Sequence, residues 1–201
     1  MVKNTSQKVT RLTQYALLTA LVVVLQMMSN VFVIGTVPIS LSLIPLVLGA
    51  ALYGPWVGTF LGFVLGLVNF VTCVTAPGLM LVLFQTSPVV FIITCFGKTM
   101  AAGAVAGLLT RLVEKKNGKW GVWLAAISVP LVNTGIFVLM MLLFFSGEIT
   151  AFFGSATVGN VVTFVFTAFV GVNFLVEFLV NALLGPAFHR IVLFVRRLEQ
   201  A

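Results

Sequence analysis

Residues 89–145 read VVFIITCFGKTMAAGAVAGLLT, then RLVEKKNGKW, then GVWLAAISVPLVNTGIFVLMMLLFF. Two apolar runs, each long enough to cross a hydrocarbon core about 30 Å thick, flank a basic turn. Asn117-Gly118 is the turn signal, and Trp120 and Trp123 follow it at interfacial depth. The runs are continuous rather than alternating, which argues against a transmembrane β-barrel.

The same texture extends to both ends of the chain. Of its 201 residues, 61% are hydrophobic and only 7% are charged, against about 25% charged in a soluble domain. Mean hydropathy is +1.22. A soluble fold of this length still exposes roughly 30% of its unfolded surface, so it could not hide so much apolar area. A soluble enzyme, a disordered regulator and a disulfide-stapled secreted domain are thereby excluded. Cys73 and Cys95 lie in no CxxC pair and read as small apolar fillers. The expected fold is an all-α integral membrane protein forming a single transmembrane domain.

At roughly 20 residues per span the chain has room for about six transmembrane helices and no large soluble domain. They are expected at about 12–34, 38–53, 56–74, 89–112, 120–145 and 158–188, the last with room to continue to Arg197. The stretch Leu12 to Ile34 is too long for a signal-peptide core and no A-x-A site follows it, so it reads as a retained span. Pro38 and Pro45 suit the start of the second helix, Gly54-Pro55 breaks the chain after it, and Pro130 predicts a kink in the fifth.

Charge sets the orientation. Lys3, Lys8 and Arg11 precede the first helix; Arg111, Lys115, Lys116 and Lys119 fill the link between the fourth and fifth; Arg190, Arg196 and Arg197 follow the sixth. With six spans all three clusters fall on one side, which the positive-inside rule makes cytoplasmic, with both termini. The net charge of +7 is thus inner-leaflet anchoring rather than a nucleic-acid footprint. The outer connections, including Thr72 to Ser87 and Ser146 to Asn160, are either interfacial loops or covers over a pocket.

Small residues recur at i, i+4 spacing: Ala16 and Ala20 on the first helix, Gly58, Gly62 and Gly66 on the third, Gly103 and Gly107 on the fourth. Such rows let helices approach closely. The glycine rows are expected to pack internally, while Ala16 and Ala20 either do the same or face a partner.

Polar groups inside the spans are few, so each is a candidate for function. Lys98 lies near the midplane of the fourth helix, and Glu177 is expected in the inner half of the sixth, sharing a face with Asn173 and Asn181. Lys98 and Glu177 form either a structural ion pair or part of a ligand site. The candidate binding residues are Asn69, Gln85, Lys98, Asn133, Asn160, Thr163 and Thr167. The asparagines serve equally well as inter-helical glue.

Catalytic constellations are missing. The chain has no Asp, its one His is His189 at the end of the last helix, and it has no GxxxxGK[ST] loop. Neither catalytic nor metal-ligating residues are assigned. A single intramembrane acid is also few for a proton-relay transporter, though a stand-alone secondary transporter remains the alternative. The sequence describes a binder without an engine.

Pro38-Ile39-Ser40-Leu41-Ser42-Leu43-Ile44-Pro45, then Gly49 through Gly58, then Gly62 and Gly66, together with Ala16-x-x-x-Ala20, resemble the substrate-binding S components of energy-coupling factor (ECF) vitamin transporters. The resemblance implies capture of a water-soluble vitamin in an outer pocket formed by the later helices. It implies a location in the bacterial plasma membrane, and association with a transmembrane scaffold subunit and two cytosolic ATPases. ATP would be used by those partners and no cofactor bound by this chain. It implies that the binder topples to release its cargo, and that Ala16 and Ala20 meet the scaffold. Pantothenate-type members look most similar, with riboflavin, folate and pyridoxine types as alternatives.

Overall fold

The structure, a computed structural model, describes residues 2–29, 33–34, 37–38, 40–114, 118–154, 160–167 and 171–200. Helix α1 spans Val2–Ser29, and two short strands, β1 (Val33–Ile34) and β2 (Val37–Pro38), follow. Then come α2 (Leu43–Tyr53), α3 (Pro55–Thr75), α4 (Leu79–Thr86) and α5 (Pro88–Glu114). After the basic turn run α6 (Gly118–Phe144), α7 (Ser146–Phe153), α8 (Val161–Val165) and α9 (Gly171–Gln200). Within the described residues five helical stretches are long and apolar enough to cross a membrane: Val9–Ser29, Pro55–Thr75, Pro88–Glu114, Trp120–Phe144 and Phe174–Arg197. Each turns much of its surface outward as large apolar side chains, such as Leu17, Leu67, Leu139 and Leu183, the pattern of a lipid-facing wall.

The second expected helix differs. Pro38 is not at its start but in β2, paired with Val33, while Ile34 pairs with Val37. Helix α2 begins at Leu43 and has 11 residues, about 16 Å, too short to span alone. A continuous apolar run does not separate strand from helix, and the β-branched residues around Gly35 take the extended form. The short helix is the centre of the bundle: it touches α1, α3, α5, α6 and α9. Leu43, Leu46, Val47 and Ala50 are fully buried in it. A helix apolar all round is a buried one.

Two hydroxyls and an amide tie the entry to α2. Ser29 donates to the Leu25 carbonyl in the last turn of α1, and its oxygen accepts from the Leu41 amide at 3.0 Å. Ser42 donates to Gln26 Oε1 at 2.6 Å. At the other end Gly54, at φ +92°, takes a conformation that a Cβ would oppose, and Pro55 opens α3.

That corner gathers the basic residues. Arg111 donates to the Tyr53 carbonyl at 3.4 Å, and Arg196 donates to the Ala51 carbonyl at 3.0 Å and to Glu114 at 3.0 Å. Tyr53 Oη donates to Gln14 of α1 at 2.7 Å. The start of the α1 span, the turn between α2 and α3, and the C-terminal ends of α5 and α9 therefore meet at one end of the bundle, here called the basic end.

The glycine rows behave as expected. A Cβ at Gly58 or Gly62 would strike the backbone of Gly103 or Thr99, and one at Gly107 the backbone at Gly54-Pro55. Helices α3 and α5 thus touch main chain to main chain. Helix α6 continues unbroken through Pro130. The sixth expected segment contains α8, and α9 begins at Gly171 and runs on past Arg197. Glu177 consequently lies in the second turn of α9, about 28 Å along the helix from Arg196 and remote from the basic end, not in the inner half.

Candidate functional site

The buried apolar residues form two clusters, one around α2 and one where α4, α7 and α8 close over α5 and α6. A cavity of about 80 Å³ lies where they meet. Helix periodicity builds its walls. Asn69 and Cys73 stand one turn apart on α3; Phe91, Thr94, Cys95 and Lys98 share a face of α5; Phe137 and Met141 stand one turn apart on α6. Gln26 of α1, Ser40 and Met80 of α4 complete the lining.

Lys98 is the cation of this site. Its Nζ sits 4.6 Å from the centre of the Phe137 ring, a cation–π contact. Among the described residues it makes no hydrogen bond and no salt bridge. Glu177 does not pair with it directly: its carboxylate accepts from the Ser40 amide at 2.7 Å, near enough to Lys98 for the two charges to interact. Glu177 therefore pins the segment after β2 beside the cavity. Asn181 Nδ2 donates to the Glu177 carbonyl at 2.8 Å, which secures that turn of α9. The side chain of Asn173, expected on the same face, lies outside the described residues.

Two of the seven candidate binding residues, Asn69 and Lys98, come together in this cavity. Asn133 is buried one turn from Phe137, and its Oδ1 has no hydrogen-bond partner. It is not part of the lining. Gln85 is exposed on α4. Asn160 caps α8, accepting from the amides of Val162 at 2.9 Å and Thr163 at 3.3 Å. Thr167 donates back to the Thr163 carbonyl at 2.9 Å, and Asn160, Thr163 and Thr167 are all exposed.

Sequence reasoning passed over Gln26, Thr94, Phe137 and Met141, and read Cys73 and Cys95 as fillers. Both cysteines line the cavity. The signal was present: stepping back from Lys98 by three, four and seven residues gives Cys95, Thr94 and Phe91, and stepping on from Asn69 by four gives Cys73.

A second feature lies on the outer surface near the basic end. Ala16 and Ala20 are exposed on α1 and form the floor of a groove of about 700 Å³, walled by Tyr15, Trp56 and Phe60. Trp56 is 82% exposed, beside a floor too small-featured to cover it.

No curated protein and no solved structure matches the chain. A family model described as ECF transporter, substrate-specific component, matches residues 10–189, a range that reaches into every helix and includes every residue lining the Lys98 cavity. The likeness carried by the Pro38–Pro45 and Gly49–Gly58 stretches and by Ala16-x-x-x-Ala20 thus holds along nearly the whole sequence, and the chain belongs to the family of substrate-specific components of ECF transporters.

Proposed function

We propose that this chain captures a small anionic vitamin, pantothenate first among the candidates, in the cavity around Lys98. It would hand the vitamin inward with ATP hydrolysed by partner subunits. The observation that carries this reading is Lys98 itself, a cation within a membrane span that lies on the face of Phe137, with Glu177 nearby but not in direct contact with it. Such a charge is costly in a bilayer and calls for an anion. A carboxylate on Nζ, with Asn69 and Thr94 for hydroxyl and amide groups, matches the chemistry of the wall.

The cavity is smaller than the roughly 300–1,000 Å³ of ordinary ligand sites, so a vitamin must move part of the lining. Met80 and Met141 are the side chains suited to yield, being unbranched and flexible. Helix α4, joined to α3 through Gly78 at φ +150°, can shift with Met80.

The test is the compound retained through gentle purification, identified by mass spectrometry, with thermal stabilisation by a vitamin panel beside it. Pantothenate is expected to stabilise the chain, and Lys98→Gln to weaken its binding roughly 10- to 100-fold, the worth of a charge-assisted hydrogen bond. Stabilisation by riboflavin, folate or pyridoxine alone would reassign the cargo. Binding unaffected by Lys98→Gln would remove Lys98 from the site.

The basic end is proposed to face the cytoplasm of a bacterial cell. A thiol reagent that cannot cross the membrane should label Arg197→Cys, in a background lacking Cys73 and Cys95, only after the cells are opened. Labelling of intact cells would reverse the orientation.

A further inference from the structure

At the basic end, between α6 and α9, a groove of about 410 Å³ is lined by Trp120, Trp123, Gly185, Pro186, His189 and Arg190. We propose that it holds an anionic phospholipid of the leaflet at that end, with the phosphate on Arg190 and His189 and an acyl chain against Trp123 and Pro186.

The groove is constructed by a compensation. Pro186 has no amide hydrogen, so the carbonyl of Ala182, four residues earlier in α9, loses its helical donor. The indole Nε1 of Trp123 takes its place, donating to that carbonyl at 3.2 Å. Gly185 leaves the room: a Cβ there would collide with the Trp123 ring. The ring is thereby fixed across α9, and Trp120 stands against it edge to face at 5.3 Å. The result is a rigid apolar slot at a membrane surface, of a shape and chemistry that suit hydrocarbon.

Its rim is cationic. Arg190 is exposed and makes no hydrogen bond or salt bridge among the described residues, while Glu114, an acid at this end, is engaged by Arg196. His189 Nδ1 is buried without a hydrogen-bond partner. With Nδ1 buried, the imidazole can donate to a ligand in the groove only from Nε2. A guanidinium and an imidazole donor over a slot for hydrocarbon complement a phosphodiester with a net negative headgroup. The opposite sign of headgroup, or a bare protein helix, would leave Arg190 without a counter-charge.

The test reads tryptophan fluorescence of the full chain, carrying Trp56→Phe so that the signal comes from Trp120 and Trp123 alone. The protein is reconstituted in phosphatidylcholine vesicles containing increasing fractions of acyl-brominated phosphatidylglycerol or acyl-brominated phosphatidylcholine. The phosphatidylglycerol is expected to quench at a roughly fivefold lower mole fraction, the worth of one cation against an anionic headgroup. Arg190→Gln should abolish that difference. Arg197→Gln, which removes the same charge about 10 Å further along the same face of α9, should preserve it.

Equal quenching by the two lipids overturns the proposal. So does a preference lost as fully with Arg197→Gln as with Arg190→Gln, which would assign it to diffuse surface charge. Protection of Trp120 and Trp123 from both lipids on assembly with partner subunits would assign the groove to a protein and overturn the proposal likewise.

Discussion

Single residues in this protein act through what a neighbour lacks. Lys98 lacks a direct ion pair, and Phe137 supplies a ring face. The Ala182 carbonyl lacks an amide, and Trp123 supplies an indole. The second case allows a clean measurement. Trp123→Phe removes the donor while keeping an aromatic ring, and should lower stability by about 1 kcal/mol, the net worth of one hydrogen bond. Pro186→Ala returns an amide to residue 186, so the Ala182 carbonyl regains its helical partner. In that background Trp123→Phe should cost much less. Thermal unfolding of the four proteins in detergent gives the coupling directly. Equal costs in both backgrounds would show that Trp123 stabilises by packing alone.

At the scale of elements, the decisive contact is α3 on α5. Gly58, Gly62 and Gly66 on one helix meet Thr99 and Gly103 on the other with no room for a methyl group. Gly62→Ala must push Thr99 backbone away and should destabilise by about 1–3 kcal/mol or more. Gly135→Ala, where an added Cβ meets nothing within 4 Å, should be neutral or stabilising by up to about 1 kcal/mol through helix propensity. A denaturation series on both variants checks the contrast, and similar losses at the two sites would mean that the close approach carries no energy.

These rows also mark what the sequence discloses. Spacing shows that a smooth face exists and does not name the helix that meets it. The long spans are legible because twenty apolar residues have few other uses in a chain this poor in charge. The start of α2 is not, since Val33, Ile34 and Val37 are as apolar as helix residues and only pairing decides their form. The start of the last helix at Gly171 hides in the same way, and it puts Glu177 in the second turn of α9 rather than in the expected inner half. For the cavity, the charge at Lys98 and the amide at Asn69 were legible by their rarity. Cys73, Thr94 and Met141 were not, because their types are at home in any apolar face and only rotation about the helix axis brings them to the wall.

For the molecule as a whole, two of its faces serve different ends. The Lys98 cavity lies far from the basic end, and the Ala16–Ala20 groove lies near it, on the outside of the bundle. The family implies a scaffold with ATPases, and we propose the Ala16–Ala20 groove as the face that meets it. The groove fits a helix: two alanines form a floor without projections, and Trp56 and Phe60 stand as apolar walls. Since lipid competes for apolar contact, close packing rather than hydrophobicity would hold a partner there. Leucine at position 16 or 20 would fill the floor while remaining at ease in lipid. Ala16→Leu and Ala20→Leu should therefore leave vitamin binding by the isolated chain unchanged and reduce co-purification with scaffold and ATPases at least about tenfold, the effect of losing roughly 1.4 kcal/mol. Ligand-induced thermal stabilisation reads the first quantity and pull-down stoichiometry the second. If both leucine variants assemble as the parent chain does, the partner sits elsewhere. If they lose binding and assembly together, the groove acts on the fold rather than on docking.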